Sequence, residues 1–317
     1  MPKAGMAAAQ PAAMRSEFDR KAREISTMIW QQVINGISIG GVYALIAVGY
    51  SLVYSVLNFS NFAHGEVLMV GAYMGFYALT ALHLPFPLAM GLAVVVGGLV
   101  AIALEKVGYR PLRLRHAPTL YFMISAMGLS IFLQNFTIVT IGPNFRTYPD
   151  VFPTHPIMFG ALAVGYLDLM IFLITAVSLG LVTWFICGTR LGSAIQASAY
   201  NMRVAGLMGI NPELVVSIVF FLAGASAGVG GVMFGMKYTV YPWMGNLTIK
   251  AFIAAVVGGL GSLPGAVVGA FVLGITETFA AAFVSSAFRD LFSFALMILI
   301  IVIRPGGLMG VVATEKA

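Results

Sequence analysis

The sequence predicts an all-α, polytopic helical membrane protein with about 8–9 transmembrane helices, some of them broken or re-entrant. Three observations lead there. The 317 residues are 60% hydrophobic and only 9% charged, with a mean hydropathy of +0.97, whereas soluble domains carry about a quarter charged residues. The charges cluster between long uncharged runs such as 25–65, 67–104 and 214–236, each long enough for a crossing of about 20 residues. The runs are apolar on every face and rich in Leu, Ala, Val, Gly and Ile; a membrane sheet needs closed strands of alternating polarity, so the spans are helices.

Residues 1–28 read as a polar tail, with Lys3, Arg15, Arg20, Lys21 and Arg23 set against Glu17, Asp19 and Glu24. No short apolar stretch with a small-residue cleavage site precedes the first span, which itself then targets the membrane. Hydropathy places spans at 29–56, 62–82, 86–106, 118–141, 160–187, 213–236, 264–284 and 287–304, with a ninth apolar segment at 247–261 read as a crossing or a tilted short helix. The membrane domain thus covers 29–310, with a loop at 188–212 and a short tail at 311–317.

Lysine and arginine in short loops set orientation. The stretch 105–116 holds Lys106, Arg110, Arg113 and Arg115, and 188–212 holds Arg190 and Arg203 without an acid, so both belong in the cytoplasm. Between them, GPNFRTYPDVFPTHP at 142–156 is rich in turn formers and suits an outside loop. The same parity puts the tail outside despite its positive excess, unless the first region is broken, and a crossing at 247–261 leaves Arg304 and Lys316 in the cytoplasm.

Glycine recurs at four-residue spacing in Gly36/Gly40, Gly71/Gly75, Gly224/Gly228, Gly231/Gly235 and Gly261/Gly265/Gly269, a pattern that lets helices pack closely in lipid. Three interruptions then stand out. Asn58 to Glu66 (NFSNFAHGE) sets Asn58, Asn61, His64 and Glu66 between apolar runs. A charge at membrane depth costs about 2.5–3.5 kcal/mol on insertion scales, so Glu66 faces protein or water, and the first turn of a helix is a favoured place for it. His64 and Glu66 stand two apart and do not share a helix face, so no metal site is expected.

The second interruption, Val257 to Gly265 (VGGLGSLPG), contains Gly258, Gly259, Gly261 and Ser262 and reads either as a path or gate element or as a tight packing corner. A faint echo links EVLMVGAY at 66–73 to GAVVGAF at 265–271. Glu277 and Asp168 are candidates for a proton relay without a partner visible in sequence, Lys250 can snorkel, and Trp30, Trp184, Tyr241 and Trp243 suit interfacial anchors. Glu213 is expected at a wetter helix start and to matter less than Glu66. The third interruption, 191–211, reads as a short surface helix with a small-residue face on which a partner can dock. The single Cys187 excludes an internal disulfide. No GxxxxGK[ST], HExxH or GxSxG occurs, so the chain is not expected to be an enzyme, to hydrolyse ATP itself or to carry a cofactor.

NFAHGE at Asn61–Glu66, VGAY at Val70–Tyr73, GSAIQASAYNMRVAGLMGIN from Gly192 and KAFIAAVVGGLGSLPGAVVGA from Lys250 resemble the LivH-type branched-chain amino-acid permeases of ABC importers, from about Trp30 to Gly310. The resemblance implies a permease subunit in the cell inner (plasma) membrane, paired with a second homologous permease. It also implies two ATP-binding subunits carrying ATP and Mg, and an extracytoplasmic solute-binding protein, with no nucleic-acid partner. Gly192, Ala197, Arg203, Ala205, Gly206 and Gly209 would then lie in the segment that contacts an ATPase. Asn58, Asn61, His64, Glu66, Gly258, Gly259, Gly261 and Ser262 would border the translocation path. Similar permeases import branched-chain amino acids, urea, short amides or aromatic acids, and the long N-terminal tail is extra to the family pattern. Two rival classes are a proton-coupled secondary carrier or channel using Glu66, His64 or Glu277, and a purely structural subunit.

Overall fold

The computed structural model describes residues 4–153, 155–160 and 162–310. The tail at 311–317, with Lys316, and residues 1–3, with Lys3, lie outside them. The chain forms α1 (Ala4–Leu57), α2 (His64–Thr80), α3 (Phe86–Leu104), a π-helical turn (Glu105–Tyr109), α4 (Arg110–Leu114) and α5 (Thr119–Ile141). A hairpin of β1 (Ile157–Phe159) and β2 (Leu162–Val164) precedes α6 (Tyr166–Gly188), α7 (Arg190–Tyr200), α8 (Met202–Leu207) and α9 (Pro212–Lys237). A 3₁₀ turn (Pro242–Asn246), α10 (Leu247–Gly258), α11 (Leu263–Phe283) and α12 (Arg289–Ile303) complete it.

Among the described residues, seven stretches are long and apolar enough to cross a membrane: 25–57, 86–114, 119–141, 166–188, 212–237, 263–283 and 286–303. Two shorter helices, α2 with 17 residues and α10 with 12, make two further passages with the irregular segments 58–63 and 238–246 ahead of them. Residues 4–24 continue α1 without a break, so the polar start is helical where it is described. The span expected to open at 160 instead opens at Tyr166, because 162–164 pair with β1 and the extended Gly165 precedes the helix.

The central element is α1, whose apolar window is 94% buried, while α5 and α12 at 11% and 6% form the periphery. Around α1 the four-residue glycine pattern does what close packing requires. A Cβ placed on Gly36 would lie 2.8 Å from the Ile275 Cα, one on Gly40 3.0 Å from the Phe271 Cα, and one on Gly71 2.6 Å from the Gly228 Cα. Backbone meets backbone at the α1/α11 and α2/α9 crossings, which only a missing side chain permits.

The loops sort onto two faces. The basic face carries 105–116 and the α7–α8 segment. On the opposite face Arg146 bridges Val240, Gln31 near the start of the first span bonds to Ala163 of the hairpin, and Lys237 meets Asp168. The start of the first span and the loop 142–165 therefore share a face, in agreement with the parity count. The ninth segment is a short helix that runs from half depth to the basic face: α10 ends where Leu308 and Met309 donate to the carbonyls of Val257 and Gly258.

Candidate functional site

The first interruption is a helix break at half depth. Ser130, the midpoint of α5, donates to the Glu66 Oε1 at 3.0 Å. The His64 Nε2 lies 3.1 Å from the Ile46 carbonyl oxygen, well inside α1. Gly49 sits against the His64 ring and the carbonyl of Ala223, midway along α9. Three long helices thus place the start of α2 near the middle of the bilayer, with Glu66 in its first turn, where the helix dipole favours a carboxylate.

The α10 helix begins at the same point and runs the other way. The Gly65 N–H donates to the Thr248 Oγ1 at 2.7 Å, and that hydroxyl donates to the Gly245 carbonyl at 2.8 Å. Gly65 is required here, because a Cβ would collide with the Gly245 carbonyl oxygen, a backbone atom that cannot rotate away. The segment that meets the start of α2 is therefore 242–248. Sequence reasoning missed this second break. Its signal is Pro242, Gly245 and Asn246 between Lys237 and Lys250, an interruption masked by the aromatic residues around it.

The expected path residues divide into separate places. His64 and Glu66 lie at the half-depth junction, buried to 1% and 3% exposure. Asn61 is buried nearer the basic face, where its Oδ1 accepts from the Tyr109 hydroxyl at 2.7 Å and from the Ala63 N–H at 3.1 Å. Asn58 is exposed and closes α1 in the left-handed region, with φ 51°. Gly258, Gly259, Gly261 and Ser262 form the corner between α10 and α11. Gly258 packs on Gly265, Gly259 packs on Gly306 and Gly310 with φ 113°, and the Ser262 Oγ accepts from the Gly265 N–H. This corner lies against Tyr54 and Ser55 in the last turn of α1.

The expected coupling residues also divide. Gly192 is buried against the carbonyls of Phe185 and Ile186 at the α6–α7 turn, which Thr189 caps, and Ala205 is 4% exposed. Ala197, Arg203, Gly206 and Gly209 are exposed. Between α7 and α8 lies a groove of about 620 Å³ floored by Ser193, Ala194 and Ala197. Its surroundings are large and apolar rather than small: Tyr200, Leu207 and Met208 are 94%, 82% and 79% exposed. Glu213 stands, as expected, at a wetter helix start than Glu66, but it is ion-paired there. It accepts from Arg110 and Arg113 at 2.6 and 2.8 Å, and Arg113 also reaches the fully buried Glu105 in the π-helical turn. This ties α9 to the end of α3.

On the opposite face a cavity of about 430 Å³ opens among α1, α6, α9, α11 and α12, lined by Gln32, Asn35, Asp168, Lys237, Glu277 and Arg289, among others. Two ion-pair clusters form its walls. The Asp168 Oδ1 accepts from the Lys237 Nζ and, at 2.6 Å, from the Ser38 hydroxyl. Glu277 accepts from the Tyr43 hydroxyl at 2.8 Å, from the Lys250 Nζ and from Ser293, and Lys250 also reaches Asp290. The carboxylates that lacked partners in the sequence thus find them on other helices, which is how intramembrane charge is tolerated. Nearby, Tyr148 folds over the outer end of the bundle, and its hydroxyl donates to the Ala72 carbonyl at 2.7 Å. Burial pushes the Tyr148 phenol well up, so it stays protonated as that donor. Among the described residues no cluster of His, Cys, Asp and Glu could hold a metal ion.

With this architecture in view, comparison with known proteins is decisive. The sequence profile described as "Branched-chain amino acid transport system / permease component" matches residues 32–301. The chain belongs to this permease family. The permease is 38% identical to the high-affinity branched-chain amino acid transport system permease protein BraD of Pseudomonas aeruginosa and to its LivH counterpart in Escherichia coli, each over 90% of this chain and 97% of the relative. A probable LivH permease of Methanocaldococcus jannaschii is 29% identical over 84% of this chain and 88% of its own length. Among solved structures, PsaBC from Streptococcus pneumoniae in complex with Fab aligns with a TM-score of 0.49 at 14% identity, covering 87% of this chain and 92% of that one. A multi-span membrane permease of the ABC importer type is what the near full-length match establishes.

Proposed function

We propose that this permease imports branched-chain amino acids across the cell inner membrane as one half of a paired permease, driven by two ATP-binding subunits that hold ATP and Mg. The observation that carries the reading is the match to BraD and LivH over nine-tenths of the chain. The exposed apolar residues around the α7–α8 groove support docking of an ATP-binding subunit on the basic, cytoplasmic face, because a helix pair that leaves Tyr200, Leu207 and Met208 in water is normally covered. Movement there would reach α9 directly through Asn211 and Glu213, which start that helix. A solute-binding protein would deliver solute on the opposite face.

In this reading the chain transmits work and performs no bond chemistry. The two half-length helices that meet at Gly65 and Thr248 would border the path, since broken helices with irregular backbone are tolerated at depth only inside protein or beside a watery cavity. Purification of the tagged chain with its neighbours, followed by uptake of leucine into proteoliposomes with the binding protein and ATP, tests it. A stable assembly with ATP-dependent leucine uptake is expected. Uptake by the chain alone under a pH gradient would refute it.

A further inference from the structure

The cavity on the face opposite the basic loops has a composition that selects among solutes. Asp168 and Glu277 bring two negative charges to its lining, and Lys237 and Arg289 bring two positive ones. A neutral cavity that presents both signs disfavours a lone anion or cation and matches a dipolar ion. We propose that it is a low-affinity waystation for the α-amino acid zwitterion on its way from the outer face. This deepens the import reading above and rests on it.

The groups left free by the ion-pair clusters carry the assignment. Asp168 engages Ser38 and Lys237 through Oδ1, and it lines the cavity together with Asn35, so a carboxylate and an amide stand at one wall to receive a solute ammonium. Arg289 lies exposed and donates to the Tyr238 hydroxyl; it pairs with no carboxylate among the described residues, which leaves other N–H groups of its planar fork for a solute carboxylate. Ile39, Ala281 and Ala282 give the lining an apolar part for an aliphatic side chain. A volume of about 430 Å³ lies in the range of small-molecule sites. Glu277 is engaged at both oxygens by Tyr43, Lys250 and Ser293, and Lys237 holds Ser38 and Asp168, so both act as positioning residues that fix the walls.

The test uses the complete importer in nanodiscs, without the binding protein, and measures equilibrium binding of radiolabelled L-leucine by scintillation proximity. Leucinamide, which lacks the carboxylate, and 4-methylpentanoate, which lacks the ammonium, serve as competitors. The parent complex is expected to bind leucine weakly, with each analogue competing at least tenfold less well than unlabelled leucine. Arg289→Gln and Asn35→Ala should each raise the Kd by tenfold or more, while Arg115→Gln on the basic face leaves it unchanged. No measurable leucine binding, equal competition by both analogues, or an unchanged Kd in both cavity variants would overturn the proposal. ATP-driven leucine uptake with the binding protein present is scored separately, so the waystation can fail while the import function stands.

Discussion

Replacing Gly228 with alanine tests the close approach on which the bundle depends. In α9, a Cβ at Gly228 would lie 2.5 Å from the Ala93 carbonyl oxygen and 3.0 Å from its carbon, while on another side Gly71 of α2 approaches the Gly228 Cα. The obstacles are backbone atoms, which cannot rotate away as a side chain can. Relief requires α3 and α9 to part by on the order of 1 Å, and overpacking of this kind costs about 1–3 kcal/mol. The matched control is Gly91→Ala in α3, where nothing lies within 4 Å of the new methyl group. Removing that glycine from a helix interior is worth about 0.5–1 kcal/mol in favour of the variant. The assay is the unfolding midpoint of purified protein in a detergent titration. Gly228→Ala should unfold earlier than the parent and Gly91→Ala at the same point or later. A Gly228→Ala protein as stable as the parent would refute the three-helix contact.

Lys250→Met leaves the buried Glu277 without its cation, a change that costs about 3–5 kcal/mol when a buried pair is broken; the Lys250→Met/Glu277→Gln double variant should lose markedly less, and strict additivity in the unfolding assay would count against the pairing. Leu207→Asp and Met208→Asp, both exposed, should leave the chain folded and lower uptake several-fold by weakening retention of the ATP-binding subunits, scored by co-purification. Ala205→Trp, in contrast, should destabilise the chain itself, because Ala205 is buried, and a normal unfolding midpoint would contradict that placement. Glu213→Gln should cut leucine uptake per ATP hydrolysed at least as much as Glu66→Gln, since Glu213 joins two arginines; an unchanged transport ratio would remove it from the transmission route.

Hydropathy and charge are properties of consecutive residues, and what depends on them was legible in the sequence. The long helices, the shared side of 105–116 and 188–212, and the packing role of Gly36, Gly40, Gly71 and Gly228 all follow from local pattern. The edge at 160–165 did not, because β2 forms through its partner β1 rather than through its own hydropathy. Within 191–211 the helical rhythm was visible, but which residues face outward depends on how α7 and α8 lie on α6 and α9. Gly192 and Ala205 therefore turned out buried while Tyr200 and Met208 did not.

By itself the sequence determined an all-α, many-span membrane protein with polar or glycine-rich interruptions at 58–66, 191–211 and 257–265, since apolar run length needs no partner, while the permease reading rested on the resemblance its motifs carry. Only the tertiary structure decided what the interruptions and lone charges do. Gly65 finds Thr248 across 183 residues, Tyr43 finds Glu277 across 234, and Ser38 finds Asp168 across 130. The cost of an unpartnered polar group in lipid demands that such partners exist, but it does not name them. Helix packing names them, and it turns the glycine-rich break into a corner and the polar one into a half-depth junction.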